Sequence, residues 1–129
     1  VAALAPNRLG EDISVPRDAF PEVVRRIQDI SKKFKLPIAV YGHAGDGNLH
    51  PSILCDLSND EESQRVHQAV DEIFGAALAL GGTLSGEHGI GITKRPYLSQ
   101  ALGVAGVRTL QAIKQALDPK GIMNPGKIF

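Results

Sequence analysis

Two histidines bracket a glycine-rich turn in Tyr41-Gly42-His43-Ala44-Gly45-Asp46-Gly47-Asn48-Leu49-His50, and two apolar stretches, residues 36–40 and 53–57, bracket the histidines. Three glycines in six positions demand backbone angles or a close approach that other residues resist. Apolar runs joined by such a turn predict a hairpin with residues 44–47 as its loop. In that register His43 lies opposite Asn48, and His50 lies opposite Tyr41. The histidines then stand diagonally on one face, roughly 7–8 Å apart at the backbone. Imidazoles so placed can converge on one ion, whose bonds to nitrogen are about 2.1 Å long.

Alternation assigns the two faces of this hairpin. Ile38, Val40, Leu49, Ile53 and Cys55 fall on one side and read as core. Ala39, Tyr41, His43, Asn48, His50 and Ser52 fall on the other, a polar surface interrupted only by Leu54. Two histidines with Asn48 and Ser52 on one face point to binding or chemistry there. The plain alternative is a hydrogen-bonded histidine pair with no ion. Phosphate binding fits poorly: Gly42-x-x-Gly45-x-Gly47 has the wrong order for a dinucleotide fingerprint, and a strand rather than a helix N-terminus follows it. Calcium fits worse, with Asp46 the only carboxylate in the loop.

Composition removes several function classes. Fourteen basic and fourteen acidic residues cancel, so no basic field draws nucleic acid or an anionic membrane. No apolar run reaches membrane-spanning length. A hydrophobic share of 43% in 129 residues suits one globular domain with a real core. The single Cys55 forms no internal disulfide and fits a reducing compartment, hence a cytoplasmic chain, at most peripheral to a membrane. The chain starts with Val1, without an initiator methionine or signal peptide, and reads as a fragment.

Taken in order, residues 1–10 have no clear period and read as a tail. Residues 11–15 predict a short strand ended by Pro16. Residues 18–34 predict a helix with Phe20, Val23, Val24, Ile27, Ile30 and Phe34 on one side, and Pro21 in its first turn, where it is tolerated. The hairpin strands are predicted at 36–43 and 48–57. Ser58-Asn59-Asp60-Glu61 reads as a capping box opening a helix to about residue 80, stopped by Gly81-Gly82. His67 on that helix faces water. Residues 83–87 predict a fourth strand.

The order β-α-β-β-α-β is the ferredoxin-like α+β arrangement, an antiparallel sheet with both helices on one face and the other face open. Leu84 should point to the helices, so Glu87 should share the open face with His43 and His50. The fourth strand lies about 10 Å from the third. Glu87 must therefore reach over the first strand or bend inward, which Gly86, Gly89 and Gly91 permit. A last helix is predicted over 104–117, ended by Asp118-Pro119, with an extended tail to Phe129.

Three motifs in order, residues 41–50, Gly-Gly-Thr-Leu-Ser-Gly-Glu-His-Gly-Ile-Gly at 81–91 and Leu-Asp-Pro-Lys-Gly-Ile-Met-Asn-Pro-Gly-Lys-Ile-Phe at 117–129, resemble the C-terminal domain of FAD-linked oxidases. Glu-Asp-Ile-Ser-Val-Pro at 11–16 also fits. This is the group of the glycolate oxidase flavin subunit, D-lactate dehydrogenase and D-2-hydroxyglutarate dehydrogenase. The resemblance implies a flavoenzyme that oxidises a D-2-hydroxy acid, such as glycolate or D-lactate, to the 2-oxo acid. It implies FAD held mainly by an N-terminal domain outside this chain, and a C-terminal domain that caps the flavin and forms the substrate site. It assigns a divalent metal, zinc by preference, to His43, His50 and Glu87. It makes His88 the general base and brings Asn124 near the flavin.

The implied partners are the flavin domain, a small 2-hydroxy acid, and a homodimer mate or electron-accepting subunit. Relatives often hold the substrate carboxylate with basic residues upstream of the first strand, where this chain has only Arg8. The isolated chain is expected to be colourless and inactive. Two other functions compete: a ferredoxin-like binding or regulatory module without redox activity, and a stand-alone metal hydrolase using Glu87 or His88 as base.

Overall fold

A computed structural model describes residues 5–129, which divide into two compact units at Glu87 and His88. The first unit holds strands β1 (Asn7–Gly10) and β2 (Ile13–Ser14), helix α1 (Phe20–Phe34), strands β3 (Ile38–His43) and β4 (Asn48–Cys55), and helix α2 (Asp60–Ala79). All strand pairs are antiparallel. β4 is the middle strand, with β3 on one side and β1 and β2 in line on the other. α1 and α2 pack on each other and cover one face of the sheet. The α+β architecture with helices over an antiparallel sheet is the predicted one.

The hairpin register is also as predicted, with Tyr41 opposite His50 and His43 opposite Asn48. Leu49, Ile53 and Cys55 on β4 are buried on the helix side with Ile13 and Val15. Val23, Ile27 and Ile30 of α1, Val66, Ala69, Val70, Ile73, Phe74, Ala76 and Ala77 of α2, and Leu36 and Leu84 are buried as well. Burial pushes the free Cys55 thiol above its usual range, which makes it a small apolar side chain rather than a nucleophile. Gly47 closes the loop at φ +72°, and a Cβ there would lie 2.0 Å from the Val15 carbonyl oxygen. Glycine is required at that point, where Val15 donates its N–H to the Gly47 carbonyl at 2.9 Å.

Several expectations need correction. Residues 7–10, read as tail, form β1, while residues 1–4 lie outside the described residues. The first strand is thus longer than predicted and interrupted at residues 11–12. Pro51 is the reason: its carbonyl accepts from Glu11 at 2.8 Å, but it has no N–H to donate in return. The polar face of the hairpin is not open along its centre, since Asn48, His50 and Ser52 are all buried.

The helix cap sits one residue later than predicted. Asn59 is the N-cap, its side chain accepting from the Glu62 N–H at 3.0 Å, while Ser58 turns its hydroxyl to Asp56. Replacing Asn59 with alanine should therefore lower stability by about 1 kcal/mol, measured by chemical denaturation, whereas Ser58→Ala should cost less.

The fourth strand shrinks to one bridge. Ser14 and Thr83 exchange backbone hydrogen bonds at 2.7 and 3.2 Å, and pairing stops there. Residues 85–87 instead turn inward onto the side chain of Asp12, which replaces the backbone partners a longer strand would have had. Ser85 donates its hydroxyl to Asp12 Oδ2 at 2.5 Å, and the Gly86 and Glu87 N–H groups donate to the same oxygen at 3.0 and 3.1 Å.

The second unit contains a short 3-10 turn at Arg95–Tyr97 and helix α3 (Leu98–Leu117). Gly103, at φ 65° and ψ 171°, breaks α3, so the regular stretch begins at Val104 as the apolar spacing predicts. Asp118 organises the turn after α3. It accepts from the Ile122 and Met123 N–H groups at 3.0 and 2.9 Å and from the Lys114 ammonium, which holds its carboxyl below the usual range. Asn124 to Lys127 form a β-turn closed by a 3.2 Å bond from the Lys127 N–H to the Asn124 carbonyl. Gly126, at φ +72°, takes the turn position that favours glycine.

Candidate metal centre

β4 builds most of the site because it is flanked on both sides. The pairs Gly10 with Ser52 and Ile13 with Leu49 keep one register across the interruption, which sets Asp12 opposite His50. Opposed residues share a face, so Asp12, His50 and Tyr41 form one row across the sheet, and Ser14, Asn48 and His43 form the next.

His43 and His50 meet edge to face with ring centroids 5.8 Å apart. Tyr41 lies beside His50 at 5.5 Å, and its hydroxyl is 3.2 Å from Ser52 Oγ. The inward turn at 85–87 delivers Glu87, whose Oε1 is 3.0 Å from His50 Nε2. One ligand atom from each of His43, His50 and Glu87 can be chosen so that all lie within 4.8 Å of one another.

Two imidazoles and a carboxylate are a donor set for a divalent ion with one position left for water or substrate. Tetrahedral coordination at about 2.1 Å needs ligand atoms roughly 3.4 Å apart. The His50–Glu87 spacing of 3.0 Å is shorter than that and is a direct contact between the two side chains, which an ion would have to part slightly. His50 is buried while His43 and Glu87 face solvent, so the cluster has one inner member and two outer ones.

The remaining predicted residues stand as follows. Asn48 is buried, and its Oδ1 has no hydrogen-bond partner among the described residues. The turn presses on it so closely that a Cβ at Gly86 would fall 2.5 Å from Asn48 Cγ. Ser52 is wholly buried, so its hydroxyl acts outward only through Tyr41. His88 and Asn124 belong to the second unit, and both are exposed. Asn124 holds a left-handed backbone at φ 48°. His67 bonds the Ser63 carbonyl on the outer side of α2, as a solvent-facing residue.

Asp12 is a further member of this face that the sequence signals only by alternation: Ile13 and Val15 belong to the core, which places Asp12 and Ser14 on the histidine face.

The sequence pattern of the FAD linked oxidases, C-terminal domain, matches residues 2–128. The chain belongs to this family. Its resemblance through the three motifs is thereby borne out over nearly the whole length. Among FAD-linked oxidases it is 47% identical over 129 residues to the glycolate oxidase subunit GlcD of Bacillus subtilis, covering all of this chain and 27% of that protein. It is 45% identical over 118 residues to D-lactate dehydrogenase [cytochrome] 1, mitochondrial, of Saccharomyces cerevisiae, covering 92% of this chain and 20% of that one. Against GlcD of Escherichia coli K12 it is 37% identical over 127 residues, 98% of this chain and 26% of the relative. The chain thus spans about a quarter of the length of the curated relatives it matches. No helix among the described residues is long and apolar enough to cross a membrane.

Proposed function

We propose that this chain is the substrate- and metal-binding part of an FAD-dependent oxidoreductase that converts a small D-2-hydroxy acid to its 2-oxo acid. The observation that carries the reading is the convergence of His43, His50 and Glu87 from two separate glycine-rich motifs onto one point, in a chain of the FAD-linked oxidase family. Relatives named glycolate oxidase and D-lactate dehydrogenase support the substrate class. The FAD is held mainly by an N-terminal domain beyond these residues.

His43, His50 and Glu87 would hold the ion, which when bound would polarise the substrate oxygens as a Lewis acid. His50 would hold it from the buried strand, and His43 and Glu87 from the exposed side. Asn48, on the same sheet face, would offer its amide to the substrate. His88, next in the chain after Glu87, takes the hydroxyl proton as general base. FAD, when bound, would supply the acceptor for the carbinol hydrogen and its electron pair, so that loss of one proton and one hydride gives the 2-oxo acid. Asn124, on the turn after α3, is assigned to the flavin side.

The test is anaerobic mixing of the full natural chain, loaded with FAD and zinc, with D-lactate and with glycolate. Bleaching of the oxidised flavin band with formation of pyruvate or glyoxylate is expected, and His88→Ala should slow the bleaching by about a hundredfold or more. Absence of bleaching with any small 2-hydroxy acid would refute the reading and favour a binding module.

A further inference from the structure

We propose that Asp12 is the positioning residue of the candidate metal centre, one buried carboxylate that sets two of the three ligands at once. The inference rests on the metal reading above and extends it to a residue that touches neither ion nor substrate. Asp12 is fully buried, which a carboxylate tolerates only when its oxygens are engaged. Oδ2 gathers the Ser85 hydroxyl and the Gly86 and Glu87 N–H groups, and so fixes the turn from which the Glu87 side chain departs. Oδ1 stands 3.9 Å from Nδ1 of His50, on the far side of the ring from Glu87.

At 3.9 Å the Asp12 carboxylate is beyond hydrogen-bond reach of Nδ1, but its charge lies behind that side of the ring and orients Nε2 toward Glu87 and the ion. The strand register supports the same assignment, since it places Asp12 directly across from His50 on the shared face. Without Asp12 the turn would lose the acceptor of three hydrogen bonds. Glu87 would drift from His50, and the His50 ring would lose its orienting charge.

Asp12→Asn separates positioning from bulk. The amide keeps the volume and one oxygen, but cannot present an acceptor to the turn and a negative oxygen to His50 together. Zinc titration by calorimetry on the full natural chain should show Asp12→Asn binding about 10–100-fold more weakly than the native protein. With cobalt(II) as the probe, its visible ligand-field bands should shift in position and intensity. A merely structural role would lower the unfolding temperature and leave both the cobalt spectrum and the zinc affinity of the folded protein unchanged; that result overturns the proposal.

Should Asp12→Asn fail to fold, Ser85→Ala decides. It keeps the carboxylate and removes one of its donors, and it is expected to weaken zinc about tenfold, while native affinity would overturn the proposal. His50→Ala separates the two readings. If it binds zinc as tightly as the native chain, or if the native chain binds none, the metal reading fails and this inference falls with it. If His50→Ala loses binding while folded Asp12→Asn keeps it, only the role of Asp12 fails.

Discussion

Replacing His50 with alanine is expected to weaken zinc binding to the full natural chain by on the order of 3 kcal/mol, a loss of at least about a hundredfold. The size follows from the donor set. A structural zinc site holds its ion with about 10–16 kcal/mol shared among about four ligands, so one ligand carries several. His50 should be the most sensitive of the three because its ring is buried on the middle strand, between the Tyr41 ring and Glu87. His43 and Glu87 face solvent, where a water can partly replace them. Acid should release the ion from the native chain, since imidazole ligates only when neutral. Calorimetric titration at neutral and acidic pH on the native, His50→Ala and His43→Ala proteins makes the comparison. Equal affinity in native and His50→Ala would show that the cluster is a hydrogen-bonded pair with a carboxylate, and no ligand set.

Phe74→Ala should produce the opposite pattern, a large loss of stability with native zinc affinity in the folded protein. Phe74 is 1% exposed on α2, the largest fully buried side chain of the core. Its removal leaves a cavity that the packed helix cannot collapse, a cost of about 3–5 kcal/mol. In a unit of this size that lowers the midpoint of thermal unfolding by more than about 10 °C. Scanning calorimetry on the full natural chain reads the shift. α2 packs on β4 from the helix side, while His50 leaves β4 from the other face. The packing defect and the His50 cluster are thus separated by the sheet. A shift of less than a few degrees would refute the packing assignment. A parallel loss of zinc affinity would show that helix packing and site geometry are coupled through β4.

Much of this was readable from local pattern. Period-2 alternation on both sides of the glycine turn was enough for the hairpin, its register and the shared face of His43, Asn48 and His50, because a one-residue slip would have exposed Leu49 and Ile53. Helical spacing from Phe20 to Phe34 and around Val66 to Ala77 placed α1 and α2, and Pro21 sits in the first turn of α1, as a residue without an N–H can. The three motifs at residues 41–50, 81–91 and 117–129 carried the family. These features depend on neighbours in the chain, so the chain order reveals them.

What the sequence could not decide lies where distant segments meet. A strand was expected over residues 83–87, since Thr83, Leu84 and Ser85 alternate well enough. Only the tertiary structure shows pairing stopping after Thr83, because a carboxylate more than seventy residues earlier accepts the hydrogen bonds of the next turn. The interruption at residues 11–12 likewise comes from Pro51, which faces them across the sheet without an N–H to give. The burial of His50 was equally out of reach, since alternation names a face but cannot say what comes to lie against it. Sequence therefore determined which residues could act as ligands. The inward turn of residues 85–87, held by Asp12, brought Glu87 to 3.0 Å from His50.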